Sequence, residues 1–185
     1  FSLVMLVNHV PWRDEAQIWL IASDSPNIIS MLSLLGYEGA PPLWYLVLFF
    51  LCKLGLPYFS MSLVHFLFAL STVFIFIKYS PFTKFQKILF IFGYYIFFEY
   101  NIIAKHYVLF VLFIFLIATL YKERFKKPLQ YFLCVLLMAG TNVHGFVTTI
   151  ILSLFYFYEY IIKQKMDLKP NHVFSIVMIL LGFTL

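Results

Sequence analysis

The sequence predicts an all-α protein, a polytopic transmembrane helical bundle with surface helices in its first outer loop, and three observations predict it. Of 185 residues, 63% are hydrophobic and only 11% charged, with a mean hydropathy of +0.94. That composition excludes a water-soluble globule. The uncharged runs have bilayer length, since Pro57 to Ile77 and Pro128 to Tyr158 contain no Asp, Glu, Lys or Arg. The remaining charges are segregated. Residues 11–42 hold Arg13 with Asp14, Glu15, Asp24 and Glu38, a net −3 within a chain of +5. The basic residues gather at Lys78, Lys84 and Lys87, at Lys122, Arg124, Lys126 and Lys127, and at Lys163, Lys165 and Lys169. The positive-inside rule puts these three clusters in the cytoplasm and the acidic segment outside. Basic clusters confined to short loops between spans also argue against a nucleic-acid partner.

Taken in order, apolar segments near 1–10, 43–56, 59–77, 88–98, 107–121, 129–140, 145–162 and from 173 onward are expected spans. Several fall short of about 20 residues, so they are expected to be tilted, extended by their flanks or only partly crossing. Residues 1–10 read as the end of a first transmembrane helix, because no small-residue cleavage site follows them. The chain begins and stops inside apolar stretches, and residues 1–185 are therefore expected to be the amino-terminal part of a larger multi-pass protein. Ile18 to Leu35 suits a helix lying along the membrane surface. Gly36 to Pro42 is a glycine-rich turn ending in two prolines, a rigid way back into the bilayer because proline is tolerated in a first helical turn. Gly140 to Gly145 breaks the longest uncharged run and reads as an outward turn between two helices. If 11–42 and the surroundings of Glu99 share the outer side, an even number of crossings separates them. Three apolar segments lie between, so one of 43–56, 59–77 and 88–98 does not cross fully. The weakest are 43–56, which carries Lys53 and Gly55, and 88–98, which is short. Cys52 and Cys134 sit within apolar runs without metal-like spacing and read as packing residues.

The few charges outside the basic clusters carry the chemistry. Pro11-Trp12-Arg13-Asp14-Glu15 sets two carboxylates and an arginine at the end of the first apolar stretch, flanked by interfacial tryptophans. A carboxylate pair beside aromatic surface suits general-base work. The plainer reading is that these residues solvate a loop and supply the acidic first turn of a helix. Glu38 stands alone in the turn before Pro41-Pro42. Glu99 and Lys105 are the only formal charges between Ile88 and Tyr121, and isolated ionisable groups at membrane depth mark function by default. On a continuous helix they would lie roughly 120° apart, so each is expected to face a different partner. Lys105 and His106 together suit a phosphate. His144, in the outward turn, and His9, beside Pro11, are weaker signals, and His65 and His172 read as structural or interfacial. No Ser-His-Asp set, phosphate-binding glycine loop or zinc spacing is present.

Arg13-Asp14-Glu15 after a first helix, then Glu38-Gly39-Ala40-Pro41-Pro42-Leu43-Trp44-Tyr45, then Glu99-Tyr100 with Ile103-Ala104-Lys105-His106-Tyr107, together resemble the amino-terminal module of GT-C membrane glycosyltransferases. That group includes protein O-mannosyltransferases, lipid A aminoarabinose transferases and bacterial homologues of the dolichyl-phosphate-mannose type. The resemblance implies a glycosyltransferase, a hexosyltransferase moving a sugar from a polyprenyl-phosphate donor to a lipid, glycan or protein acceptor. It further implies an active site on the outer face of a bacterial cytoplasmic membrane, with 11–42 as the outer catalytic loop. By position, Asp14 is the base toward the acceptor hydroxyl, with Glu15 as the alternative. Arg13, Lys105 and His106 face the donor phosphate, and Glu38, Glu99 and His144 complete the substrate site. Some relatives hold a divalent metal between acidic groups of two loops. Asp14 and Glu99 are the pair for it here, and two carboxylates are too few to assign one.

Two other function classes compete, a non-catalytic membrane protein, either a transporter or a structural subunit, and a polysaccharide polymerase or ligase. A transporter would hold Glu99 and Lys105 near the midplane and show repeated halves, whereas the carboxylates here gather at span ends on one side. A polysaccharide polymerase or ligase would rely on outer-loop arginines and histidines, and only Arg13 and His144 fit.

Overall fold

The computed structural model describes residues 2–38 and 41–163, and among them every regular element is helical and there is no strand. The all-α expectation holds. Helix α1 covers Ser2–Asn8, α2 Arg13–Asp24, α3 Ile28–Glu38, α4 Leu43–Lys53 and α5 Phe59–Tyr79. Lys84–Ile91 forms α6, followed by a wide π-helical turn at Tyr95–Glu99 and the short α7 at Tyr100–Ile102. Helix α8 is Tyr107–Leu120, α9 Pro128–Ala139 and α10 Val143–Phe157, the last running into a second π-helical turn, Tyr158–Lys163. The expected span from 173 onward, His172, Lys165 and Lys169 lie outside the described residues.

The acidic loop corrects one expectation. Instead of one helix over Ile18 to Leu35 there are two, broken at Ser25-Pro26-Asn27. Ser25 takes an extended conformation at φ −70° and ψ 124°, as the clash of a following proline ring requires. Asn27 then restarts the chain by accepting the Ser30 N–H on its side-chain oxygen at 2.9 Å.

Helix α5 is the one described helix long and apolar enough to cross a membrane, while α4 and α9 are apolar but shorter. Its Met61, His65, Ala69, Thr72 and Phe76 are buried, and Leu63, Leu67, Leu70, Phe74 and Ile77 are exposed on the opposite side. An apolar helix with an apolar outer stripe satisfies its own backbone groups and leaves the stripe to an apolar surrounding.

Helix directions follow from contacts. Tyr79 to Phe82, at the end of α5, share a cleft with Ile114 to Thr119 of α8, so α5 and α8 run the same way. Phe76 stacks on Phe90 of α6 with centroids 4.3 Å apart, and α6 through α7 make the return path. In the α9–α10 hairpin the Thr149 hydroxyl donates to the Val135 carbonyl at 2.8 Å, which sets these two helices antiparallel. The ends marked by Lys78, Lys84, Lys122 to Lys127 and Glu159 therefore fall at one end of the bundle. The starts of α2, α4 and α8 and the Gly140 turn fall toward the other.

Helix α4 starts where the Leu43 N–H donates to the Gly140 carbonyl at 2.9 Å. Trp44 packs on His65 and Phe68, and Lys53, at the far end, donates to the Ser25 carbonyl at 2.9 Å. The chain then reverses at Gly55, whose φ of 71° is a left-handed conformation that glycine adopts without penalty. Helix α4 thus runs antiparallel to the first half of α5 and away from the basic end.

One apolar core joins α2, α3, α4, α5 and α8 around Trp44, Leu48, Met61 and Val108. A second joins α8, α9 and α10 around Tyr131, Val135, Met138 and Tyr156. Burial of side chains of this size supplies about 1.5–3 kcal/mol each relative to exposure in water.

Candidate active site

The site forms where α2 begins beside the α7–α8 junction. Helix α7 ends at Ile102, and Ile103 turns extended at φ −80° and ψ 111°. That break frees the Ala104 N–H from helical bonding and turns Lys105 toward the first loop.

Glu15 and Asp14 take opposite environments. Glu15 is 1% exposed. One of its oxygens accepts the Ala104 N–H at 2.7 Å, and the other accepts the Trp12 N–H and meets His9 Nε2, both at 2.8 Å. Trp12 immediately precedes α2, so Glu15 also takes one of the amide protons that a helix start leaves unpaired. Glu15 is a buried tie between loop and bundle. Its surrounded carboxylate cannot approach an acceptor, and the alternative assignment of the base to Glu15 does not suit this geometry.

Asp14 is 63% exposed and bonds Lys105 Nζ through Oδ2 at 2.8 Å. The Lys105 side chain is only 18% exposed, and its ammonium lies 5.5 Å from the Trp12 ring centroid, within cation–π range. The hydrogen bond from Lys105, then its charge, holds the Asp14 carboxyl below its ordinary range. A small cleft beside the pair, of about 30 Å³, is lined by Trp12, Glu99, Tyr100, Ile103, Lys105 and Tyr107 among others. Glu99 therefore sits on the same side as Asp14, and Lys105 pairs with Asp14 across 91 residues of sequence.

Arg13 and His144 separate from this centre, and His106 stays beside it without a charge. Burial, then the Lys105 charge, pushes the His106 ring down to about 4, so His106 is uncharged at neutral pH and offers a phosphate no charge. Arg13 lines a different groove, between α2 and α3, with Leu20, Ile21, Asp24 and Leu34, of about 520 Å³. His144 is exposed at the start of α10 and lines no part of the Lys105 cleft. Glu38 ends α3, and its side chain lies outside the described residues, as do Gly39 and Ala40.

The donor set does not fit a divalent cation. Asp14 is bonded to an ammonium, Glu15 is engaged by the Ala104 and Trp12 N–H groups, and among the described residues no three His, Cys, Asp or Glu side chains gather. Hard cations need several oxygen ligands. His9 is the residue the sequence undervalued. Its six-residue spacing to Glu15 carries no helical signal, because Val10 and Pro11 between them are not helical.

Comparison with known protein families, curated proteins and solved structures returns no match for this chain.

Proposed function

We propose that this chain is the amino-terminal module of a multi-pass membrane glycosyltransferase that moves a sugar from a polyprenyl-phosphate donor to an acceptor hydroxyl on the extracytoplasmic face. The observation that carries this reading is the Asp14–Lys105 pair. It sets an exposed carboxylate against a sheltered ammonium, 2.8 Å apart, at the end of the bundle opposite Lys78, Lys84 and Lys122 to Lys127. A base for the acceptor and a cation for a departing phosphate are the two groups such a transfer needs.

The acceptor hydroxyl gives its proton to Asp14 as its oxygen bonds the anomeric carbon. The carbon–oxygen bond to phosphate breaks, and the phosphate leaves with the electron pair as polyprenyl phosphate facing Lys105. Glu15 holds the loop that carries the base.

The membrane arrangement follows from the same axis. With the basic end in the cytoplasm, α5, α8 and α10 cross inward, α6 through α7 and α9 cross outward, and α4 stays on the outer side. That makes 43–56 the segment that fails to cross. The short helices reach span length through their flanks, as α10 does through its π-helical turn.

The test is turnover of undecaprenyl-phosphate-linked sugars by the full-length protein. Asp14→Asn is expected to lower turnover about 100-fold or more while the protein still folds. Unchanged turnover would remove Asp14 from the role of base.

A further inference from the structure

The Asp14–Lys105 contact cannot persist through the reaction it serves. A base within about 3 Å of the acceptor oxygen, with that oxygen about 3–3.5 Å from the anomeric carbon, stands roughly 6 Å from the reacting carbon. In an inverting displacement the leaving phosphate lies beyond that carbon, on its far side. A carboxylate oxygen and an ammonium 2.8 Å apart leave no room for a sugar between them.

We infer that the Asp14–Lys105 ion pair is a resting latch opened by the donor: the anionic phosphodiester of the donor takes Lys105 away from Asp14, and only then is there room for the acceptor and sugar between base and cation. This inference rests on the proposed donor chemistry and names how the site is controlled. Three features favour exchange at Lys105. Its ammonium has three donor hydrogens on a flexible stem, so it can turn from one anion to another without backbone motion. Its stem is sheltered and its head lies over the Trp12 ring, which keeps it at the site when Asp14 lets go. Asp14, by contrast, is mostly exposed, so water solvates its carboxylate once it is released.

The remaining charges do not substitute for Lys105. Glu99 lines the same cleft and stays beside Lys105 as a second negative group. His106 is neutral, Glu15 is held by Ala104, Trp12 and His9, and Arg13 faces the α2–α3 groove. Lys105 is therefore the switchable cation of the site. The order of events follows: donor first, then deprotonation of the acceptor. Without donor, one Asp14 oxygen stays bonded to Lys105, and the base and the cation are too close to hold a sugar between them.

The latch makes a prediction that a plain phosphate site does not. A carboxylate that competes for Lys105 weakens donor binding, so the variant that loses catalysis gains affinity. The experiment measures binding of undecaprenyl phosphate, the leaving product that carries the donor's lipid phosphate, to the full-length protein in lipid nanodiscs, with inorganic phosphate as a parallel probe. Asp14→Asn should tighten undecaprenyl phosphate binding about two- to fivefold, the range set by the strength of an exposed ion pair. Lys105→Ala should weaken it about tenfold or more, and the double variant should bind like Lys105→Ala alone. Asp14→Ala serves as the second variant if the asparagine protein fails to fold. The same tightening with inorganic phosphate assigns the exchange to the headgroup, and tightening with the lipid alone assigns it to the anchored donor. Either result supports the latch. Unchanged or weaker binding by both Asp14 variants, with the wild type binding normally, overturns it and leaves the donor reading standing. If the wild type binds neither probe, the donor reading itself fails.

Discussion

Asp14 and Glu15 are neighbours in sequence with opposite fates, because successive residues of a helix point about 100° apart. One faces solvent and Lys105, and the other faces the α7–α8 junction. Removing Glu15 leaves the buried Ala104 N–H and the partly buried Trp12 N–H without an acceptor. Glu15→Ala is therefore expected to destabilise the fold by about 3–5 kcal/mol, read as a lower melting temperature of the purified protein. Glu15→Gln should cost less, since its one carbonyl oxygen still serves Ala104. Equal costs for the two variants would mean the hydrogen bonds matter less than the side-chain volume. His106 supplies a pH dependence. Its folded value is about 4 against an ordinary 6.5, so between those values the unfolded chain binds the proton more tightly. The stabilising contribution of the neutral ring is complete above 6.5 and is lost as pH falls toward 4. His106→Gln should flatten the profile of melting temperature against pH in that window.

At the scale of elements, the α9–α10 hairpin is closed by two local devices. Asn142 accepts the Gly145 N–H on its side-chain oxygen at 2.7 Å, and Gly145 lies so close to the preceding turn that a Cβ there would overlap the Met138 carbonyl and sit 2.6 Å from Thr141 Oγ1. Asn142→Ala is expected to cost about 1 kcal/mol and Gly145→Ala about 1–3 kcal/mol, both measured by thermal unfolding. A Gly145→Ala protein as stable as the wild type would contradict the close packing of this turn. The hairpin was legible in the sequence, since Gly140 to Gly145 interrupts a long apolar run with turn-forming residues. The break between α2 and α3 was legible in principle through Pro26, yet apolar residues on both sides of it mimic one continuous helix. The π-helical turn at Tyr95–Glu99 was not legible, because a widened turn is set by what packs around it and leaves no mark in residue spacing.

Across the whole molecule, the segregation of charge is the feature that sequence and structure share. The basic clusters at Lys78 to Lys87 and at Lys122 to Lys127 are separate in the chain and are brought to one end by parallel α5 and α8 and by the α9–α10 hairpin. The site pair was harder to read. Asp14 and Lys105 were each visible as charges out of place, but 91 residues separate them, and no local rule reports which distant charge a side chain meets. Glu15 looked like the twin of Asp14 because burial is a property of the fold and not of a dipeptide. The proposed orientation predicts that Asp24→Cys, in a background with Cys52 and Cys134 replaced by Ala, reacts with an impermeant thiol reagent from outside the cell. Lys126→Cys should react only after permeabilisation. The reverse pattern would invert the topology.

The tie between Glu15 and Ala104 spans 89 residues, and that span has a meaning in time. A ribosome adding about 5–20 residues per second needs roughly 5–20 s after Glu15 to deliver its amide partner. During that interval the first loop has emerged, and its innermost carboxylate has no bundle to close against. The loop is thus assembled early and seated late, and whatever shelters this acidic helix pair for those seconds is part of how this protein matures.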